Sequence, residues 1–296
     1  MAKYRALIIA GGALFALARA AGAADLLPPP PALEPPPPPP MEFNGWYLRG
    51  DVGIGMNAAT PSLAVSPNPL PGAYSAAATN DFYNPTISAS GIFDFGVGYQ
   101  FNSWFRADVT EEYRGGASFQ TLEVLNDVGP PVVQYADFYR ANLSSYVTMV
   151  NGYADLGTWS GITPYVGAGV GFAYNRLSGF TDTGYAYNSV TINPATPVGG
   201  YADDAGKWNF AWSLMAGLSF DVTQNLKLDL GYRYLDYGKF TSGKVNCLAD
   251  ATPGFTTGCY SVYSKNDLAS NDFRIGLRWM IGEASYAPPA PLVRKY

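Results

Sequence analysis

Charged side chains are few in this sequence, and they recur at one spacing. Arg49 and Asp51, Arg106 and Asp108, Glu112 and Arg114, and Lys227 and Asp229 each stand two residues apart with opposite sign. Asp94, Asp155, Asp221, Arg233, Arg274 and Arg278 lie in segments of the same kind. Three chemistries could use such residues. Paired carboxylates can do hydrolytic acid–base work. Rings of charge can select ions in a pore. Acids and bases in alternation can also neutralise one another where water is scarce. The set holds seven bases and seven acids, and that balance favours a neutralised network over a selective pore, which shows one sign in excess.

Other chemistry is thinly represented. The chain has no histidine, which removes the Ser-His-Asp triad and every histidine metal ligand. Gly167, Gly169 and Gly171 superficially suggest a phosphate loop, but the spacing is not G-x-G-x-x-G and no helical pattern follows. Those glycines read instead as space for rings such as Tyr153 and Tyr165. Cys247 and Cys259 are the two cysteines, with 11 residues between them, and in an exported chain they suggest a disulfide. Two thiols without histidine do not make a zinc site. No catalytic residue, cofactor or metal is expected, and the protein is not expected to be an enzyme.

The elements that carry the charges alternate with period two. Trp46 to Met56, Gly91 to Phe101, Trp104 to Arg114, Ser144 to Leu156, Ile162 to Tyr174, Trp208 to Val222, Leu226 to Tyr237 and Asn271 to Gly282 each set apolar or aromatic residues against Gly, Tyr and charged ones. Alternation over such lengths predicts eight strands. Val147 and Met149 blur the polar face of the fourth. The connections alternate too: long at 57–86, short at 102–103, long at 115–140, short at 157–161, long at 175–207, short at 223–225 and long at 238–270. Short turns at one end and long loops at the other are the pattern of an outer-membrane barrel. Strands of about 11 residues suit a tilted span of the bilayer.

Eight strands enclose only enough room for side chains. Phe93, Phe95, Trp212, Phe220 and Trp279 are too bulky for that lumen, so the apolar set faces lipid and the charged set faces inward. Trp46, Phe101, Phe105, Trp208 and Trp279 fall where interface girdles belong. Glu111 falls on the lipid side by the same count.

Composition agrees. Of 296 residues 14% are charged and 15% aromatic, with 22 Tyr, while 48% are hydrophobic. A soluble domain carries roughly 25% charged residues. The formal charge of -5 disfavours nucleic acid as a partner. Residues 1–23 read as a signal peptide: Lys3 and Arg5, an apolar run from Ala6 to Ala18, then Ala21-Gly22-Ala23. Residues 24–43 form a proline-rich spacer, stiff and outside any core. The barrel is expected over 44–282 and a proline-containing tail over 283–296.

Gly45-Trp46-Tyr47-Leu48-Arg49-Gly50, Tyr165 to Phe172, Leu230-Gly231-Tyr232-Arg233-Tyr234 and Phe273 to Trp279 resemble segments of the small eight-stranded outer-membrane barrels. Among these the chain is most similar to the alphaproteobacterial outer-membrane immunogenic and hemin-binding proteins, relatives of the OmpA, OmpX and opacity-protein barrels. The resemblance covers residues 44–282. It implies an integral outer-membrane protein with both termini in the periplasm. Its implied partners are lipid and lipopolysaccharide, the barrel assembly machinery, and an extracellular ligand or host factor met by the loops. In some members it implies hemin binding. The chain departs from the family by continuing past the last strand as Glu283 to Tyr296. The expected function is structural and surface-exposed, with recognition through four outer loops. A narrow channel for small solutes is the alternative. The loops are rich in rings, including Tyr83, Phe119, Tyr139, Phe180, Tyr185, Phe240 and Tyr260. These suit either a recognition surface, where rigid rings supply contact area, or strand pairs that continue above the membrane.

Overall fold

The computed structural model describes residues 44–58, 60–66, 78–129, 132–189, 192–248, 255–256 and 260–281. The signal peptide, the proline-rich spacer and the tail lie outside the described residues. Among the described residues fourteen strands follow in chain order. They are β1 (Gly45–Asn57), β2 (Leu63–Ser66), β3 (Thr79–Ile87), β4 (Ser90–Gln100), β5 (Phe105–Asp127), β6 (Val133–Asp155) and β7 (Ile162–Asn188). Then come β8 (Ile192–Ala202), β9 (Ala205–Asp221), β10 (Leu226–Gly238), β11 (Val245–Leu248), β12 (Phe255–Thr256), β13 (Ser261–Ser264) and β14 (Leu268–Ile281).

Eight of these close a ring. β1 pairs with β4, β4 with β5, β5 with β6, β6 with β7, β7 with β9, β9 with β10, β10 with β14 and β14 with β1, all antiparallel. Closure leaves no edge to satisfy in lipid, the condition for crossing a bilayer with strands. The eight strands sit where the alternation places them. Inward residues are buried and outward ones exposed: Phe93, Phe95, Val97, Val109, Phe172 and Leu277 are all about half exposed or more.

Two bands of rings bound that apolar belt. Trp46, Tyr99, Phe101, Trp104 and Phe105 touch one another beside the short turns, at centroid separations of 5.1 to 5.6 Å. Tyr113–Tyr146, Tyr174–Trp208, Trp212–Tyr234 and Tyr232–Phe273 form the other band, at 5.0 to 5.6 Å. Eight residues separate Phe105 from Tyr113. At ~3.3 Å each, with a ~40° tilt, that is about 20 Å, close to the apolar band of outer-membrane barrels.

The short turns are locally encoded. The Asn102 carboxamide oxygen accepts the amide N–H groups of Trp104 and Phe105 at 3.0 and 2.8 Å. The Thr223 hydroxyl oxygen accepts the Leu226 amide at 3.0 Å. Asx and Ser/Thr turns of this kind need no long loop.

The long connections differ from expectation. Residues 115–127 and 133–140 are not loop, because β5 and β6 run on as 23-residue strands. β7 likewise runs to 27 residues. Above the upper aromatic band these three are joined by β3 on β5, and by β8, β11 and β12 beyond β7. β2 and β13 pair as a separate two-stranded sheet. The result is an outer tier standing on one side of the ring. Its inner face carries a packed apolar core that includes Leu63, Phe119, Tyr139, Leu143, Leu177, Phe180, Phe240 and Val262. Val147 and Met149, which blur the alternation of β6, belong to this same core.

Two glycines join the tiers. β5 breaks register between Arg114 and Ala117, with Gly116 at φ 77°. β7 breaks register where it pairs with Arg140 and Asn142, with Gly179 at φ 60°. Each bulge adds one residue and needs the left-handed backbone that glycine adopts freely. Each also exchanges the inward and outward positions of the strand above it.

Candidate functional site

Two places in the fold could carry function: the lumen of the ring and the outer tier. In the lumen, twelve of the fourteen expected charges form one buried network. Near the short turns, Arg106 pairs with Asp155 at 3.2 Å and Arg278 with Asp229 at 3.1 Å. The Arg106 guanidinium also lies between the rings of Tyr153 and Tyr165, 4.0 and 4.8 Å from their centroids. At mid-height Arg49 bridges Asp51 and Asp108 at 2.7 and 3.0 Å. Arg274 reaches Asp51 and Asp94 at 3.1 and 2.7 Å. Highest, Arg114 bonds Glu112 and Asp272, and Arg233 bonds the same two carboxylates, all within 3.0 Å. The remaining pair, Lys227 with Asp221, is half-buried at the mouth beside the short turns.

Asp272 is a member that the sequence reading missed. It is fully buried and accepts from Arg114, Arg233 and Ser270. Its position was legible: it shares the parity of Arg274 and Arg278 along β14. Other inward polar groups join the lattice, although both terminal nitrogens of Arg106 and the Nε of Arg274 are buried with no hydrogen-bond partner. Tyr47 donates to Asp108 at 3.0 Å, Asn151 donates to the same carboxylate at 2.8 Å, and Ser219 donates to Asp229 at 2.6 Å.

The glycines act as spacers. A Cβ on Gly98 would stand 2.2 Å from the Tyr47 ring, and one on Gly167 would stand 2.6 Å from the ring of Tyr153. The lumen is thereby filled. The cavity bounded by Arg49, Tyr153, Tyr165, Asp229 and Arg274 holds about 10 Å³, room for roughly one water. The tier above closes it with apolar packing, and the Arg114 guanidinium 5.2 Å from the Tyr237 ring marks the seam.

Glu111 does point outward, as counted. It lies between Phe95 and Thr148 of the neighbouring strands, and the Thr148 hydroxyl donates to it. Of the two cysteines, Cys247 lies on β11 opposite Thr256, while Cys259 is outside the described residues.

The loop rings divide into two groups. Phe119, Tyr139 and Phe180 are buried on the continuing strands β5, β6 and β7, so for them the continuing-strand expectation holds; Phe240 is buried too but follows β10 outside any strand. Tyr83, Tyr185 and Tyr201 are 49%, 59% and 46% exposed on its outer surface. Phe138, which alternation alone did not single out, joins them at 51%.

A closed eight-stranded ring with lipid-facing rings and a charge-paired lumen defines a small outer-membrane barrel. The family described as "Outer membrane protein beta-barrel domain" matches residues 41–280, and the chain belongs to it. The protein is accordingly one of the outer membrane. An uncharacterised protein of Brucella abortus is 35% identical over 198 residues, covering 64% of this chain and 67% of that one. Outer membrane protein PagN of Salmonella typhimurium is 29% identical over 200 residues, covering 64% and 73%. A candidate adhesin of Rickettsia conorii is 35% identical over 99 residues, covering 31% and 33%. Among solved structures, Neisserial surface protein A is similar at a TM-score of 0.40 with 14% identity, covering 81% of this chain and 99% of that one.

Proposed function

We propose that this protein is a non-catalytic recognition barrel, in which the membrane ring is an anchor and the outer tier presents a binding face to an extracellular partner. One observation carries the reading: an apolar row on the outer surface of the tier, above the upper aromatic band. Tyr83 stands beside Leu122, and Leu122 beside Phe138, on adjacent strands. One step higher, Val124, Ala136 and Tyr185 are neighbours in the same way. Rings and aliphatics on a sheet whose other face is already packed have no structural duty there. Exposed patches of this kind mark interaction sites. Relatives named as an outer membrane protein and as a candidate adhesin support a surface role.

In this reading both ends of the ring, which meet where Trp46 pairs with Ile281, lie on the periplasmic side with the short turns. Export through the signal peptide, insertion by the barrel assembly machinery and contact with lipopolysaccharide belong to the same proposal. The expectation of hemin binding rests on resemblance alone and gains no supporting observation.

The test is attachment of bacteria displaying the protein to cultured host cells. Phe138→Ser with Tyr185→Ser should reduce attachment severalfold at unchanged surface level. Both positions are already exposed, so the fold should persist. Undiminished attachment would overturn the assignment of this face.

A further inference from the structure

The outer tier contains a second group of ionisable side chains, and it has no bases. Glu123 on β5 and Asp137 on β6 are direct cross-strand partners. Asp182 on β7 pairs with Tyr139, two residues along β6. Glu123 and Asp182 are buried, at 6% and 7% exposure. They lie ten residues above Tyr113 on β5 and eight above Tyr174 on β7, well clear of the upper aromatic band. The Tyr139 hydroxyl donates to Glu123, and the Tyr260 hydroxyl donates to Asp182 at 2.7 Å. One oxygen each of Asp137, Asp182 and Asn80 is buried with no hydrogen-bond partner.

The surroundings offer no counter-charge. β3 brings Asn80, and β5 brings Asp127 further up, whose carboxylate accepts the Gly129 amide at 3.0 Å. β8 and β11 bring Gly200 and Val245, with Cys247 next along β11. Among the described residues no arginine or lysine forms an ion pair with any of the three acids. The tier's ion pairs, Arg176 with Asp204 and Lys239 with Asp267, involve other carboxylates. Arg140 and Lys244 are solvent-exposed. The contrast with the lumen is sharp, since every acid there has a guanidinium or ammonium partner. Among the described residues no three acidic groups are arranged to hold a metal ion either.

Two buried carboxylates and a partly buried third, without a base or a metal-ligand arrangement, leave one neutralising agent. We propose that the outer tier is held together by protons on Glu123, Asp137 and Asp182, so that the wall is tight in acid and loosens as these groups ionise. Burial raises all three above the ordinary carboxylate range, and for Asp137 the neighbouring Asp182 and Glu123 add to it, pushing it up to about 8. The sign follows from linkage. A carboxyl whose pKa is higher folded than unfolded contributes stability that is complete below about pH 4 and is lost as pH rises through the folded value. For Asp137 that window runs to about 8. The device sits in the wall that bears the exposed rings, yet it does not depend on what those rings bind.

The test uses the full chain refolded in detergent micelles, with carboxyl-carbon NMR titration from pH 4 to 9. Amide-exchange protection, corrected for its intrinsic pH dependence, is read alongside. Asp137 should titrate near pH 8 rather than near 4. Protection in the upper halves of β6 and β7 should fall about tenfold across that step, with no change at Phe105–Tyr113. Asp137→Asn should flatten the pH response, and Asp182→Asn should lower the Asp137 midpoint, with barrel closure checked by heat-modifiable gel migration. Titration of all three acids in the ordinary range would overturn the proposal. So would saturable collapse of the Asp137 midpoint on adding calcium chloride, which would make the cluster a cation site.

Discussion

Arg106 shows what the lumen demands of a single residue. Its guanidinium is fully buried, has one carboxylate partner in Asp155, and otherwise rests on two phenol rings. Removing it leaves the buried Asp155 carboxylate without its cation, with only Gln100 still donating to it, and breaking a buried pair from one side costs about 3–5 kcal/mol. Arg106→Ala should therefore lower stability by that amount in urea unfolding from lipid vesicles. Arg106→Met combined with Asp155→Leu should cost less than Arg106→Ala alone, because no lone charge remains. If Arg106→Ala is nearly neutral, the lumen is wet and the paired-lattice description is wrong. This network was the most legible part of the molecule in sequence, because its i, i+2 spacing is set by the pleat itself. Asp272 escaped through incomplete use of the same rule. The acids of the outer tier escaped for a different reason: no base accompanies them, so nothing in their spacing marks them as partners.

At the scale of elements, the eight ring strands were readable and the outer tier was not, and the bulges explain the boundary. Alternation holds to Arg114 on β5. There Gly116 inserts a residue, and Ala117, Phe119 and Glu123 become the inward set. Gly179 does the same to β7, so that Phe180 and Asp182 turn inward. A reader counting by two loses phase at each glycine and sees a loop. β11 and β12 are also short, β8 shifts register against β7, and β11 pairs with β8 across a long stretch of sequence. The bridge that the sequence suggests between Cys247 and Cys259 would belong to this scale. Cys247 is placed at the β11–β12 hairpin, so a bridge would close that hairpin and nothing larger. Purified protein should show no reactive thiol before reduction. Cys247→Ser should loosen the hairpin by about 2–3 kcal/mol, the entropy of a short closed loop, and leave the ring's urea midpoint unchanged. Rapid alkylation of native protein would count against the bridge.

For the molecule as a whole, the lumen is closed twice, once by ion pairs and once by an apolar core. The refolded protein should therefore pass almost no current in a planar bilayer, and Arg106→Ala should lose stability before it gains conductance. Steady ion-selective current from the native chain would revive the channel reading. β5, β6 and β7 also run as single strands, bulged at Gly116 and Gly179, from one aromatic band to the top of the outer tier, 23 to 27 residues each. A partner gripping Phe138 on β6 and Tyr185 on β7 would thus pull on strands that are themselves staves of the barrel. The load would run along the strands as shear, shared by many ladder hydrogen bonds at once, instead of unzipping them singly as a hinged loop would. An attachment of this build would resist flow through its anchor, because the strands that bear the load are those that span the membrane.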